Sequence, residues 1–344
     1  MNKECKKTIR IMEVCGTHTQ AISKSGIRYL LPNHVKLLSG PGCPVCVTNE
    51  SYIDAAIGLL SHDHVILVTF GDMLKVRGTS SSLSEKKMKD NVITIYSPED
   101  AITLARKWPQ KIVVFLAVGF ETTAPIMAAT IKNAYENGPE NLFFLTALKR
   151  MEPILRFILE DERNKIDGLI CPGHVASVLG ADAFQFVTKE YQVPAVVCGF
   201  EAEDLKAGIY NLLDQIEGER PVSFLNLYQR CVRNTGNRLA KECMDEVFQK
   251  EDGYWRGIGK VSNSALGLRE KYQRLDVKNK FDLSEEIISN PSACQCREII
   301  LGLKAPYECK QFGVRCTPET PLGPCMISSE GSCSAHYKYG RVIF

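Results

Sequence analysis

The 344-residue sequence has no apolar stretch of signal-peptide length near its start, and no window approaches the ~18 apolar residues that span a bilayer. A membrane partner is therefore not expected, and the chain is placed in the cytoplasm. Net charge is almost absent: 42 basic against 40 acidic residues leave +2, too weak a field to draw the protein onto nucleic acid or an anionic surface. Nucleic acid is excluded as a first guess. G-x-G-x-x-G and G-x-x-x-x-G-K-[ST] are both missing, so no nucleotide fingerprint is present. Low-complexity tracts are missing as well. The segment RGTSSSLSEKKMKD, Arg77–Asp90, is the best candidate for a solvated surface loop.

What the chain does have is cysteine, fourteen in all. Cytosolic thiols stay reduced unless they bind metal or do redox chemistry, so these are read as ligands or redox groups before they are read as disulfide staples. The length allows roughly two to three domains with cores of their own. Short apolar runs at Val65–Phe70, Ile112–Val118, Leu142–Thr146, Gly168–Ile170 and Val193–Val197 read as buried parallel strands. Alternating with helix-length segments, they predict βα units. Two runs end alike: VGFETTAPIMAATIKNAYENG and CGFEAEDLKAGIYNLLDQIEG each pass from a strand through Gly-Phe-Glu into an apolar-periodic helix closing near a glycine. The echo implies two Rossmann-like α/β lobes of related design. TFGD, VGFETT, LICPGH and VCGFE all fall where a strand gives way to a loop, the place where open α/β sheets gather ligands. The expected fold is therefore two parallel-sheet lobes facing a cleft, followed by a cysteine-rich C-terminal domain.

That last region, from Ala293 onward, carries six of the fourteen cysteines among many Gly and Pro residues. Cys309, Cys316, Cys325 and Cys333 are separated by six, eight and seven residues. Four thiolates on successive loops satisfy either tetrahedral zinc or a [4Fe-4S] cube. Zinc ribbons present paired C-x₂₋₄-C knuckles, which these four lack, so the spacing favours iron–sulfur. The bland alternative is that some are buried structural thiols. Cys294 and Cys296 form a C-x-C pair that serves as spare ligands or packs beside such a cluster.

Near the other end, LLSGPGCPVCV (Leu37–Val47) sets Cys43 and Cys46 between glycines and prolines. Gly42 permits a tight backbone, Pro44 fixes φ after the first thiol, and C-x-x-C brings two sulfurs within reach as a disulfide or a soft-metal chelate. Two unpaired core cysteines is the plain reading. In IMEVCGTHTQ a short strand runs into Cys15, with His18 three residues on. Alone, Cys15 reads as an inert core thiol; the imidazole adds a ligand, a proton shuttle or a means of lowering the thiol's pKa.

MEVCGTHT (Met12–Thr19), LLSGPGCPVCVT (Leu37–Thr48), GFETTAP (Gly119–Pro125), CPGHVASVLG (Cys171–Gly180), CGFEAED (Cys198–Asp204) and the cysteine-rich tail together resemble the HypD family of hydrogenase maturation factors, in the same order from about Ile11 to the C-terminus. The resemblance implies a scaffold on which the Fe(CN)₂CO unit of [NiFe]-hydrogenase is assembled. It also implies a HypC-type small chaperone and a HypE-type cyanide donor as partners, and indirectly the hydrogenase large subunit. It implies two α/β lobes and a [4Fe-4S] domain, which places 8–135 in the first lobe, 136–255 in the second and 256–344 in the iron–sulfur domain. Carried over by motif, Cys15, Cys43 and Cys46 are the iron-site thiols, and Cys309, Cys316, Cys325 and Cys333 the cluster ligands. His18 is then a donor beside the site or a proton carrier. Glu121 bonds the cyanides when protonated or orients His18, against a plain role in charge near a helix start; His174 and Glu201 carry the same ambiguity. Cys171 and Cys198 read as structural. Asn49, Arg77 and Arg297 depart from the family pattern, and the third weakens any special role for Cys294 and Cys296.

Two readings compete with the scaffold. One is a thiol–disulfide oxidoreductase in which an iron–sulfur cluster reduces Cys43/Cys46 for outside substrates; the other is a zinc-stabilised binding module without catalysis. Whether the chain is itself an enzyme is left open at this stage.

Overall fold

The computed structural model describes residues 7–87, 91–283 and 293–340. Its strands, in chain order, are β1 (Ile9–Glu13), β2 (Val35–Ser39), β3 (Val65–Thr69), β4 (Val92–Thr94), β5 (Ile112–Gly119) and β6 (Leu142–Lys149). They continue with β7 (Gly168–Cys171), β8 (Ala195–Val197), β9 (Phe224–Asn226), β10 (Phe248–Trp255) and β11 (Gly259–Leu268). The five apolar runs read from sequence are β3, β5, β6, β7 and β8. Each is buried almost throughout, as expected where helices cover both faces of a parallel sheet.

The chain forms two compact units, and neither is a continuous stretch. One comprises 1–43, 154–237 and 293–344; the other comprises 44–153 and 238–292. The consecutive division into 8–135, 136–255 and 256–344 reads differently because pattern along the chain does not report which strands pair. β1 and β2 join β7, β8 and β9 in one all-parallel sheet of order β2-β1-β7-β8-β9. Its core gathers Ile9, Ile11, Leu37, Ile170 and Val196 under Leu205, Ile209 and Leu212 of the helix Ala202–Ile216. The second sheet runs β10-β11-β6-β5-β3-β4. It is parallel from β4 to β6 and finishes with the antiparallel hairpin β10–β11. That hairpin escaped the sequence reading, since FQKEDGYW exposes four successive polar residues and carries no apolar run.

The cysteine-rich tail belongs to the first unit. Gly302, at φ 70-odd degrees in the left-handed region, turns the chain so tightly onto β1 that an added Cβ would sit 2.4 Å from Met12 Cε. Further on, the helix Ser332–Tyr339 packs on the helix Gly16–Ser25. The segment expected to be a solvated loop is not one: Ser81, Ser82 and Leu83 are buried and Leu83–Lys86 is helical, with Ser82 as its cap; 88–90 lie outside the described residues. Among the described residues no helix is long and apolar enough to cross a membrane.

Candidate functional site

In the first sheet the chain leaves β1 for β2 on one side, while β7 lies on the other. This reversal is the switch point at which an open parallel sheet leaves a crevice beyond its carboxyl ends. Cys15 follows β1 there, and His174 follows β7. Cys15 takes the N-cap position of helix Gly16–Ser25 in extended conformation (φ −140°), without a side-chain capping bond, so its sulfur is free for other contacts. That sulfur lies 3.9 Å from His174 Nδ1. Thr17 Oγ1 is 3.5 Å from the same nitrogen and donates to Glu330 Oε1 at 3.1 Å. The threonine's single proton is thereby spent on Glu330, leaving its oxygen as an acceptor toward the imidazole.

Burial pushes the Cys15 thiol up to about 12; the carboxylates of Glu330 and Glu13 add to this, against the backbone N–H groups of His18 and Thr17. Beneath it, Glu13 is 1% exposed. Glu13 Oε2 accepts from Cys15 N at 3.1 Å and its Oε1 accepts from Thr19 Oγ1 at 2.5 Å. Desolvation raises its pKa despite these bonds and the nearby Arg28. Arg28, partly buried, donates to Leu37 O.

The two thiol motifs meet through glycine. Gly16 N donates to Gly42 O at 3.1 Å. A Cβ on Gly42 would stand 2.4 Å from Cys15 N and 2.5 Å from its Cα, so only glycine lets the GPGC backbone pass against Cys15. Cys43 follows directly and is 5% exposed. A Cβ on Gly16 would likewise strike Glu330, 2.4 Å from that residue's own Cβ. Thus residues 13–19, 42–43, 174 and 330 converge on one thiol.

The two histidines differ in what they meet. His18 is fully buried, donates Nε2–H to Gly199 O at 3.2 Å, and has no partner for Nδ1 among the described residues. Burial lowers its pKa to about 4, which keeps it neutral. Phe200 lies between the two rings, stacked on His174 at a centroid distance of 4.2 Å and tilted against His18 at 4.5 Å. The imidazole beside the thiol is therefore the one from CPGH. Cys198 and Cys171 lie buried in the same sheet; burial drives both thiols up, Cys198 to about 12 with Asp204 and Cys15 adding to it.

Cys46, 2% exposed, stands in the single helical turn Pro44–Val47 of the second unit. Cys43 and Cys46 are both in the disulfide form, whereas the eleven other described cysteines are not. Glu121 also belongs to the second unit, at the equivalent switch point where β3 lies between β4 and β5. It is 4% exposed, and Oε1 accepts from Met151 N at 2.8 Å while Oε2 has no partner among the described residues. Burial raises its carboxyl to about 7. Its polar contact is thus the start of the helix Met151–Glu160, not His18.

In the tail, Cys309, Cys316, Cys325 and Cys333 are all buried. Burial raises Cys316 and Cys333, and each thiol is raised further by the charges of Cys294 and Cys309. Cys294 enters as an addition to the expected set: a Cβ on Gly323 would stand 2.3 Å from its sulfur. Cys296 is buried at the head of the helix Cys296–Ile300. Among the described residues no three or more His, Cys, Asp or Glu side chains close on a single ion position.

Sequence reasoning missed Glu13, Phe200 and Glu330. Only Phe200 carried a signal, through the repeated Gly-Phe-Glu.

A profile of the Hydrogenase formation hypA family, HypD, matches residues 1–340. The chain is 40% identical over 337 residues to Hydrogenase maturation factor HypD of Escherichia coli (strain K12), covering 97% of this chain and 90% of that one. It is 39% identical over 339 residues to Hydrogenase maturation factor HypD of Cupriavidus necator, with 96% and 89% covered. It is 40% identical over 345 residues to Hydrogenase maturation factor HypD2 of Bradyrhizobium diazoefficiens, with 98% and 90% covered.

Proposed function

The chain belongs to the HypD family of hydrogenase maturation factors, and from that premise we propose that it is the scaffold on which an Fe(CN)₂CO unit is built for [NiFe]-hydrogenase. The observation that carries this reading is the convergence on Cys15 of His174, Thr17, Glu330 and the Gly42 backbone. Low-spin Fe(II) bearing cyanide and carbon monoxide favours soft, electron-rich donors, so a thiolate suits it better than a carboxylate. Cys15 is the direct ligand in this proposal. Cys43 and Cys46 complete the site or supply two electrons as a dithiol, and their disulfide form favours the second role. Thr17 and His174 stand beside the thiol as hydrogen-bonding groups that orient it and the cargo. A HypC-type chaperone and a HypE-type cyanide donor are the proposed partners, with the hydrogenase large subunit as recipient.

The tail is proposed to hold a [4Fe-4S] cluster through Cys309, Cys316, Cys325 and Cys333, with Cys294 near enough to compete for a corner. The donor chemistry fits: the four thiols are buried, and Cys316 and Cys333 are each raised by the charge of Cys309. The separations of six, eight and seven residues lack the paired C-x₂₋₄-C knuckles of a zinc ribbon, which favours the cluster over a lone zinc. When bound, such a cluster supplies one-electron transfer.

The test is infrared spectroscopy of the anaerobically purified complex with its small chaperone, taken from hydrogenase-making cells. Cyanide and carbonyl stretching bands are expected in the wild type and none in Cys15→Ala, which also abolishes maturation while leaving the tail's visible absorbance intact. A wild-type complex without bands sinks the scaffold reading. Cys325→Ala is expected to bleach the cluster absorbance; bleaching by Cys294→Ala in its place transfers the fourth corner to Cys294.

A further inference from the structure

Just beyond β10, Arg256 is 5% exposed, and three of its four acceptors lie at the exit of the C-x-x-C segment. Its main-chain N–H donates to Val47 O at 2.9 Å. From the side chain, Nε donates to Thr48 O at 2.7 Å, Nη1 to Glu50 Oε1 at 2.9 Å and Nη2 to Arg77 O at 2.7 Å. The preceding Trp255, fully buried, pairs with Thr48 as an antiparallel bridge and is itself fixed by donating Nε1–H to Ser264 Oγ at 2.7 Å. Thr48 Oγ1 closes the turn by donating to Pro44 O at 2.9 Å. The next residue, Asn49, caps the helix Glu50–Leu59 by accepting from Ser51 N. A buried guanidinium thus reaches two carbonyls and a carboxylate at once, a fork that a lysine ammonium does not reproduce. Glu50 balances its charge, so what Arg256 supplies to the neighbouring thiol is shape more than field.

We propose that Arg256 is the positioning residue of the Cys43-x-x-Cys46 pair: by clamping Val47 and Thr48 it confines Cys46 to the turn Pro44–Val47 and thereby sets the equilibrium between disulfide and dithiol. This rests on the reading above that the two thiols cycle. Reduction by a dithiol such as dithiothreitol breaks the S–S bond and adds two electrons and two protons to the protein; the reagent closes into its own cyclic disulfide. A confined turn holds one sulfur at high effective concentration beside the other and favours the disulfide. Loosening the clamp therefore favours the dithiol.

The experiment equilibrates the full-length protein anaerobically in graded oxidised and reduced dithiothreitol, then alkylates and counts modified Cys43 and Cys46 by mass spectrometry. Arg256→Gln and Arg256→Lys are both expected to shift the equilibrium about tenfold toward the dithiol, a midpoint about 30 mV less negative. If charge were the contribution, lysine would restore the wild-type value and glutamine would move the midpoint the other way. Thr48→Val, which removes the hydroxyl bonded to Pro44 O and so releases that end of the same turn, is expected to shift it about threefold in the same direction, and it keeps the test alive if the arginine variants do not fold. Unchanged midpoints, or recovery by lysine, overturn the proposal. The titration needs no iron and no partner, so its outcome is separate from that of the infrared experiment.

Discussion

The two units each contain a strand that ends in Gly-Phe-Glu before a long helix, and the two turns meet opposite fates. In the first, Phe200 is partly exposed and lies between the rings of His18 and His174, while Glu201 is exposed at the cap of the helix Ala202–Ile216. In the second, Phe120 is 3% exposed against Trp255, and Glu121 is buried with one oxygen on Met151 N. The local sequence is the same, although the helix starts directly after Glu201 in the first turn and only at Ala124, capped by Thr123, in the second. What differs is the cover. β10 and Arg256 bring an indole over the second turn, whereas the first keeps two imidazoles around its phenyl ring. The repeat therefore encodes a strand-to-helix joint, and the neighbours decide whether it is core or site.

The comparison breaks most readily at the phenylalanines. Phe120→Ala empties a packed position and is expected to cost the second unit about 3–5 kcal/mol, whereas Phe200→Ala, on a partly exposed ring, costs the first about 1–2 kcal/mol. Both tryptophans, Trp108 and Trp255, lie in the second unit, so urea unfolding followed by their fluorescence reports on that unit. Alkylation of the buried Cys171 and Cys198 reports on the first. Phe200→Ala should leave the fluorescence midpoint in place while raising the alkylation rate of Cys15, because the ring that holds His174 over the thiol is gone. A fluorescence midpoint that moves equally in both variants would end the distinction between core turn and site turn.

Much of this architecture was legible beforehand, and for physical reasons. Buried parallel strands are continuous apolar runs, so β3, β5, β6, β7 and β8 announced themselves, and the two Gly-Phe-Glu joints fixed where strands end. Cys15 and Cys43 were legible as neighbours only through the family resemblance, yet Gly42 supplies the local cause, since no other residue passes Cys15 at that distance. What stayed hidden depends on pairing across long separations. Nothing local says that β1 neighbours β7, that Gly302 lies on Met12, or that Glu330 reaches Thr17 from 313 positions away. CPGH by itself does not separate a site role for His174 from a bland one, because only the β1–β7 pairing sets it beside the thiol.

The two glutamates of these turns differ as much as the phenylalanines do. Glu121 has its pKa raised from 4.5 to about 7 by burial, so between those values the folded protein holds a proton that the unfolded chain has released. Stability accordingly falls as pH rises from about 4.5 to about 7 and levels off above it, by about 3 kcal/mol if the whole shift is expressed. Glu121→Gln stays neutral throughout and still accepts from Met151 N through its amide oxygen. The expected result is that this decline, measured by tryptophan fluorescence in urea at a series of pH values, flattens in the variant. A wild-type profile that rises across the same window would mean that Glu121 is ionised and paired in the fold.

The smallest effect is expected at Glu201. Its side chain is exposed, and although it occupies the N-cap position it accepts no capping hydrogen bond, so Glu201→Gln removes neither a buried contact nor a cap. Favourable charge near the helix start is instead supplied by Glu203 and Asp204, the latter fixed by Arg230. Surface changes of this kind stay within about 0.5 kcal/mol, and hydrogenase maturation is expected to be unchanged, since Cys15, His174 and Phe200 keep all their contacts. A variant that folds normally, yet fails to mature hydrogenase, would show that the first turn presents its glutamate outward for a partner. The exposed and the buried carboxylate would then differ in what they meet, the one a second protein and the other a helix start, and the two turns would no longer contrast as site against core.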